Sequence, residues 1–184
     1  MAGTEARRWM RRSLVGAVLL GAIALAWTSR GEFTPVDSGR VAPDFSAATL
    51  DGETFSIEAA RGRVIVLNLW ATWCRPCVKE MPALQRLWER NRDAGLIVVG
   101  VSLDHPALLM GDAETAVRSF VENHGLTFPI VHDPDSRIQS AYPYVGLPMT
   151  FVIDREGRIV DRVLGAREWD EPEMESRLRN LLEG

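Results

Sequence analysis

The sequence predicts an α/β fold with a mixed central sheet and helices on both faces. Three observations carry this. Val64 to Trp70 (VIVLNLW) and Leu96 to Leu103 (LIVVGVSL) are unbroken apolar runs, the pattern of strands buried on both faces of a sheet. Between them, Val78 to Arg92 places Met81, Leu84, Leu87 and Trp88 at helical spacing. The unit is therefore βαβ, with parallel strands and a right-handed crossover. Near the C-terminus, Met149–Ile153 and Arg158–Leu164 read as strands joined by the tight turn Asp154-Arg155-Glu156-Gly157, which adds an antiparallel hairpin.

The elements follow in order from the N-terminus. Arg7, Arg8, Arg11 and Arg12 precede an uncharged apolar run from Ser13 to Ser29. That order places the N-terminus in the cytoplasm and the rest of the chain outside. Two export readings fit residues 1–29. The run is just long enough for a single-pass signal anchor, with Trp27 and Arg30 at the outer interface. Alternatively, Ala24-Leu25-Ala26 is a small-x-small site at which a signal peptide is removed. Either way the folded domain is expected to be extracytoplasmic, held at the cell membrane or exported. Residues 30–40 (RGEFTPVDSGR) are polar, with Pro and Gly, and read as a linker. Residues 41–184 are the folded domain, a size that suits a single core. Residues 1–30 hold five Arg and one Glu, a net +4, so the chain's −4 leaves −8 for residues 31–184. An acidic domain without a clustered basic face argues against nucleic-acid binding.

Within the domain, Asp51-Gly52 between two short, partly alternating runs signals a β-hairpin. The strand VIVLNLW runs through a short loop into the helix that starts near Cys74. Pro82 lies inside that helical pattern and should kink it. Asp112 to Gly125 reads as a helix capped by Asp112 and ended by Gly125. Phe128 to Val131 is a short extended piece, Ser136 to Tyr142 a short helix, and Asp170 to Glu183 a closing helix with Met174, Leu178, Leu181 and Leu182 on one side.

Cys74 and Cys77 are the only cysteines in the chain, in the stretch WATWCRPCVKEMP. Cys74 falls at a helix N-terminus, where the partial positive charge stabilises a thiolate. Arg75 beside it acts in the same direction. The thiolate is the attacking species in disulfide exchange. Cys77 lies one turn inside, within bonding reach but less exposed, and Pro76 suits a first turn that does not need its N–H. The spacing thus gives an exposed nucleophile, Cys74, and a resolving partner behind it. A static clip is the bland alternative, but so small a loop stabilises little. A metal site would want a second pair of ligands. Covalent haem attachment would want His after the second cysteine, where Val78 stands. A redox pair with no metal and no cofactor fits best. His105, His124 and His132 are scattered without ligand spacing and read as loop or surface residues.

Trp73-Cys74-Arg75-Pro76-Cys77, the internal Pro82 and Gly146-Leu147-Pro148-Met149-Thr150-Phe151 together resemble the thioredoxin superfamily. Cys77-Val78-Lys79-Glu80-Met81-Pro82, the early Val41-Ala42-Pro43-Asp44-Phe45 and the N-terminal apolar run are similar to its TlpA/ResA/CcmG-type membrane-anchored thiol-disulfide oxidoreductases, relatives of the AhpC/TSA redoxins. The resemblance spans about Val41 to Glu183. It implies a thioredoxin-like fold with an N-terminal hairpin extension, and a cis Leu147–Pro148 bond facing the cysteines. It also implies a substrate-binding surface formed by Trp73, Arg75, Pro76, Leu147 and Pro148. An extended substrate can pair its backbone with Leu147 and so present its sulfur to Cys74. Tyr142-Pro143-Tyr144 either packs inside or lines that surface.

Thioredoxins of the ordinary kind carry a buried Asp on the strand before the motif. Here Asn68 stands there and cannot take a proton at neutral pH. Glu80, three residues after Cys77 and on its helix face, is the candidate replacement as proton acceptor, as in the ResA-like group. The bland alternative is a solvated glutamate paired with Lys79 or Arg75. By resemblance, the partners are protein thiols and disulfides, with apocytochrome c or copper-site cysteines among them, and a membrane thiol-disulfide transporter that returns electrons. Two other functions compete. A peroxiredoxin-type peroxidase shares the early Pro-Asp-Phe segment, but the Pro-x-x-x-Thr pattern expected before its reactive cysteine is missing before Cys74. A non-catalytic copper- or haem-handling module would use the two thiols as ligands.

Overall fold

The structure, a computed structural model, describes residues 39–107 and 112–183. The expected anchor or signal at 1–29, and the linker up to residue 38, lie outside the described residues. No helix among the described residues is long and apolar enough to cross a membrane.

A small antiparallel pair, β1 (Ser46–Ala48) and β2 (Thr54–Ser56), comes first. Gly52 sits in its turn at φ 89°, the left-handed region that glycine enters without strain. Then follow β3 (Val64–Trp70), α1 (Arg75–Asn91), a 3-10 turn (Arg92–Ala94), β4 (Leu96–Ser102), α2 (Ala113–Asn123), β5 (Ile130–His132), α3 (Arg137–Ala141), β6 (Met149–Ile153), β7 (Ile159–Leu164) and α4 (Pro172–Glu183). The main sheet has the order β5-β4-β3-β6-β7. β3, β4 and β5 are parallel, and β6 and β7 add antiparallel to β3. The mixed sheet is as the sequence predicts. The N-terminal pair is a separate sheet, tied to the β5 edge by the Thr49–Val131 bridge and by Leu50 N–H donating to Ile130 O at 2.8 Å. At the other edge, Gly39 and Arg40 already pair with Ile159 at the start of β7. Both edges of the sheet are thus partly covered, which limits strand pairing with other chains.

Alternation along β3 sorts the core into two layers. Val64, Val66 and Trp70 face a cluster with Met81, Leu84 and Leu87 of α1, Val117 of α2, and Leu178 and Leu182 of α4. Ile65, Leu67 and Leu69 face Phe55, Ile57, Ile138 and Tyr142. The second layer settles the role of Tyr142: its ring is buried edge-on to Phe45 and Phe151, and its hydroxyl donates to Pro43 O at 2.5 Å. It packs the core and does not line a surface. Helix α1 runs continuously through Pro82, whose ring removes one ladder N–H. Asp112 caps α2 as expected, accepting from Glu114 N–H at 3.1 Å and from the Thr115 hydroxyl at 2.6 Å. The helix runs to Asn123, and Gly125 closes it as expected: its φ of 61° turns the chain, and Leu126 N–H donates back to Val121 O at 3.1 Å. The extended piece expected at Phe128–Val131 pairs only from Ile130, where it meets Gly100 of β4.

Candidate active site

The C-terminal end of β3 sets the site. Trp70 O accepts from Leu103 N–H at 2.8 Å, and Ala71 O accepts from Cys74 N–H at 3.1 Å. Between them Thr72 is gripped by Asp104, a fully buried carboxylate at the end of β4. Asp104 accepts from Thr72 N–H at 3.0 Å, from the Thr72 hydroxyl at 2.6 Å and from the Ser102 hydroxyl at 2.8 Å. Its own carbonyl meets His132 Nε2 at 2.7 Å. The sequence reading missed Asp104. Its signal was present in Ser102-Leu103-Asp104, a carboxylate closing an apolar strand at the same sheet end as the cysteines.

Cys74 caps α1 in extended conformation (φ −82°, ψ 97°), and its Sγ accepts from Cys77 N–H at 3.3 Å. The two sulfurs are bonded, so the structure shows the oxidised form. Cys74 keeps 6% of its surface and Cys77 none. The order of exposure is as expected, but Cys74 is more covered than an exposed nucleophile would be, because its sulfur is turned onto Cys77. Trp73, 51% exposed, stands beside it as a wall. Arg75 and Pro76 are exposed on the first helical turn, with Pro76 placed where its missing N–H costs nothing.

Leu147–Pro148 is cis. Pro148 is buried, Leu147 half-buried, and Pro148 O accepts from Gly165 N–H at 2.9 Å. Because β6 runs antiparallel to β3, with Met149 opposite Leu69, the start of β6 and the end of β3 lie together. The cis-proline loop and the cysteines therefore share one end of the sheet.

Glu80 is 1% exposed, so the solvated alternative with Lys79 or Arg75 is set aside. Three N–H groups converge on its carboxylate. Asn68 Nδ2 donates to Oε1 at 2.8 Å, while Arg167 N–H and Trp169 Nε1 each donate to Oε2 at 3.1 Å. Burial pushes the carboxyl above its ordinary value, and the bonds from Trp169, Asn68 and Arg167 offset part of that push. Asn68 Nδ2 also donates to Thr150 Oγ1 at 2.8 Å, while Asn68 Oδ1 is buried without a partner. Sequence reasoning paired Glu80 with the loss of an Asp at position 68 but missed its direct contact with Asn68. It also missed Trp169 and the Arg167 N–H, which lie 87 and more residues away in the chain. His105 and His124 are exposed, and no group of three metal-binding side chains occurs among the described residues.

Residues 38–162 match the model of the AhpC/TSA family. The chain belongs to that family. Within it the chain is a ResA/CcmG-like member of the thioredoxin superfamily with a thioredoxin-like fold. It is similar to the thiol-disulfide oxidoreductase ResA of Geobacillus kaustophilus, 35% identical over 161 residues that cover 86% of this chain and 88% of that protein. It is also similar to the thioredoxin-like protein YneN of Bacillus subtilis, 38% identical over 143 residues covering 78% of this chain and 79% of that one. Among solved structures, StoA from Bacillus subtilis superposes with a TM-score of 0.60 at 28% identity, covering 71% of this chain and 98% of StoA. This AhpC/TSA member is a thiol-disulfide oxidoreductase.

Proposed function

We propose that this oxidoreductase reduces disulfides of specific protein partners outside the cytoplasm, through a Cys74–Cys77 dithiol/disulfide cycle. The observation that carries the reading is the cysteine pair at the N-terminus of α1, on the sheet end that also holds the cis-proline loop. In the reduced protein, the Cys74 thiolate attacks one sulfur of the partner disulfide. The partner's S–S bond breaks, a mixed disulfide forms on Cys74, and the partner's other sulfur leaves as a thiolate. The Cys77 thiol passes its proton to Glu80 and attacks Cys74 Sγ. The Cys74–Cys77 bond forms and the partner's second sulfur departs. The partner has gained two electrons and this protein has lost two.

Trp73, Arg75, Pro76 and Leu147 form the surface on which the partner docks, and Pro148, expected on that surface but buried, supports Leu147 from beneath. The partner's backbone pairs with Leu147 in strand fashion, as extended peptides do on exposed backbone. A dithiol of a membrane thiol-disulfide transporter then returns two electrons. The basic residues before an apolar run at 13–29 support a domain held at the outer face of the membrane. The partner class we infer, from the resemblance carried by Cys77 to Pro82, is the paired cysteines of apocytochrome c or of a copper site in their disulfide form. The test is capture in the source cells. Cys77→Ser lacks the resolving thiol, so Cys74 should hold partners as mixed disulfides visible on non-reducing gels. Captured extracytoplasmic proteins with paired cysteines are the expected result. Capture of cytoplasmic proteins alone, or of none, would sink the reading.

A further inference from the structure

The buried amide of Asn68 is used in an unusual way. Both of its N–H bonds are spent, one on Glu80 Oε1 and one on Thr150 Oγ1, each at 2.8 Å, while its carbonyl oxygen has no partner. Every other contact to the Glu80 carboxylate is also an N–H donor. This arrangement suits an ionised Glu80 and leaves nothing for a protonated one, whose O–H must find an acceptor. Yet the function proposed above, on which this inference rests, requires Glu80 to hold a proton.

We propose that Asn68 is a positioning residue whose amide turns over when Glu80 takes a proton, so that Oδ1 replaces Nδ2 between Glu80 and Thr150. The exchange balances. In the ionised state the position is a double donor, to Glu80 and to Thr150. In the protonated state it is a double acceptor, taking the Glu80 O–H and the Thr150 O–H, since a hydroxyl serves as either donor or acceptor by rotating its hydrogen. A separation of 2.8 Å suits both N–H···O and O–H···O bonds, so no backbone shift is needed. In the ionised state the carbonyl oxygen faces the interior unpaired, and in the turned state the NH2 group does. The turn thus leaves two N–H donors unpaired in place of one oxygen, a cost that the new bonds from the Glu80 and Thr150 hydroxyls must offset. An aspartate at this position would have repelled ionised Glu80. An apolar residue would serve neither form. An amide serves both, and so lets Glu80 accept and release the proton of Cys77 without leaving its buried seat.

The groups around Glu80 are few. Cys77 lies one turn back on α1, Asn68 faces it from β3 with Thr150 of β6 behind Asn68, and the segment after β7 supplies the Arg167 N–H and the Trp169 indole. No ion pair to Glu80 forms among the described residues.

The test uses the oxidised protein, in which neither cysteine titrates. Nuclear magnetic resonance follows the Glu80 side-chain carboxyl carbon and the Asn68 side-chain N–H pair through a pH titration. The proposal expects both to move with one midpoint, and the close contacts from the Asn68 N–H pair to Glu80 and Thr150 to vanish on the acid side. If those contacts persist below the Glu80 midpoint, the amide does not turn and the proposal is overturned. Two variants add a second reading. Trp169→Phe removes a donor to the anion alone and should move the Glu80 midpoint up by about one pH unit. Asn68→Leu removes a partner of both forms and should move it much less. An equal upward shift in both variants would make Asn68 a fixed donor. A turning amide with no effect of Glu80 on thiol exchange would instead refute the function on which this inference rests.

Discussion

Glu80 decides more at the scale of single residues than either cysteine, because its surroundings determine which protonation state the site favours. Its carboxyl sits in the interior and is held above its ordinary value by burial. The folded state therefore binds more protons than the unfolded state, in the window from the ordinary carboxylate value up to the folded one. In that window stability falls as pH rises, and above it the effect is constant. Glu80→Gln does not titrate and should lose this slope. The check is a series of urea unfolding midpoints of the oxidised protein across the mildly acidic range. The wild-type curve should decline relative to the variant, and parallel curves would exclude the effect. Cys74 and Cys77 need less help from distant residues. Their geometry follows from the cap position, from the i,i+3 spacing and from Pro76, all local in sequence. This is why the cysteine pair was legible in the chain, while the donors around Glu80, gathered from β3 and from the segment after β7, were not.

The cysteines ride on a short connection between two elements; Asp104 fixes that connection, and the segment after β7 fixes the helix that follows it, through Glu80 and Arg86. Asp104 holds both the N–H and the hydroxyl of Thr72, two residues before Cys74. Asp104→Ala would leave the Thr72 N–H and the Ser102 hydroxyl unpaired, at a cost of about 1–3 kcal/mol for each group that stays buried. Thr72→Val removes only the hydroxyl contact and should cost about 1 kcal/mol. Denaturant unfolding of both variants measures this, and equal losses would show that the N–H bond contributes nothing. The segment carrying Trp169 is fixed to α1 by the next residue. Asp170 takes a bidentate contact from Arg86, at 2.6 and 3.2 Å, which holds its carboxyl below the usual range. Element types and order could be read from apolar runs and helical spacing, and most ends fell within two residues. The exception has a local cause: β5 starts late because only Ile130 onward meets β4, whereas α2 is closed by Gly125, in the left-handed region at φ 61°, as expected.

At the scale of the whole molecule, the mixed topology brings the chemistry together. Parallel β3 and β4 end at the same side as antiparallel β6 begins, so Cys74, Asp104 and Pro148 come from three strands to one end of the sheet. The directions of the strands were legible, because the βαβ unit and the closing hairpin each have a characteristic pattern, but their spatial order was not. The convergence on Glu80 was not legible either, because it depends on how the loop after β7 folds back over α1, and nothing in the local sequence of Arg167 or Trp169 encodes that contact. The central claim is that Cys74 attacks and that Glu80 takes the proton of Cys77. Its most direct measurement is stopped-flow reaction of the reduced domain with a chromogenic aromatic disulfide that releases one coloured thiolate at each step. The first phase reports attack by Cys74 and the second, concentration-independent phase reports resolution by Cys77. Glu80→Gln should leave the first phase within about twofold and slow the second by about a hundredfold or more near neutral pH, the range expected for loss of a general base. A second phase unchanged in Glu80→Gln, or both phases slowed alike, would contradict the account.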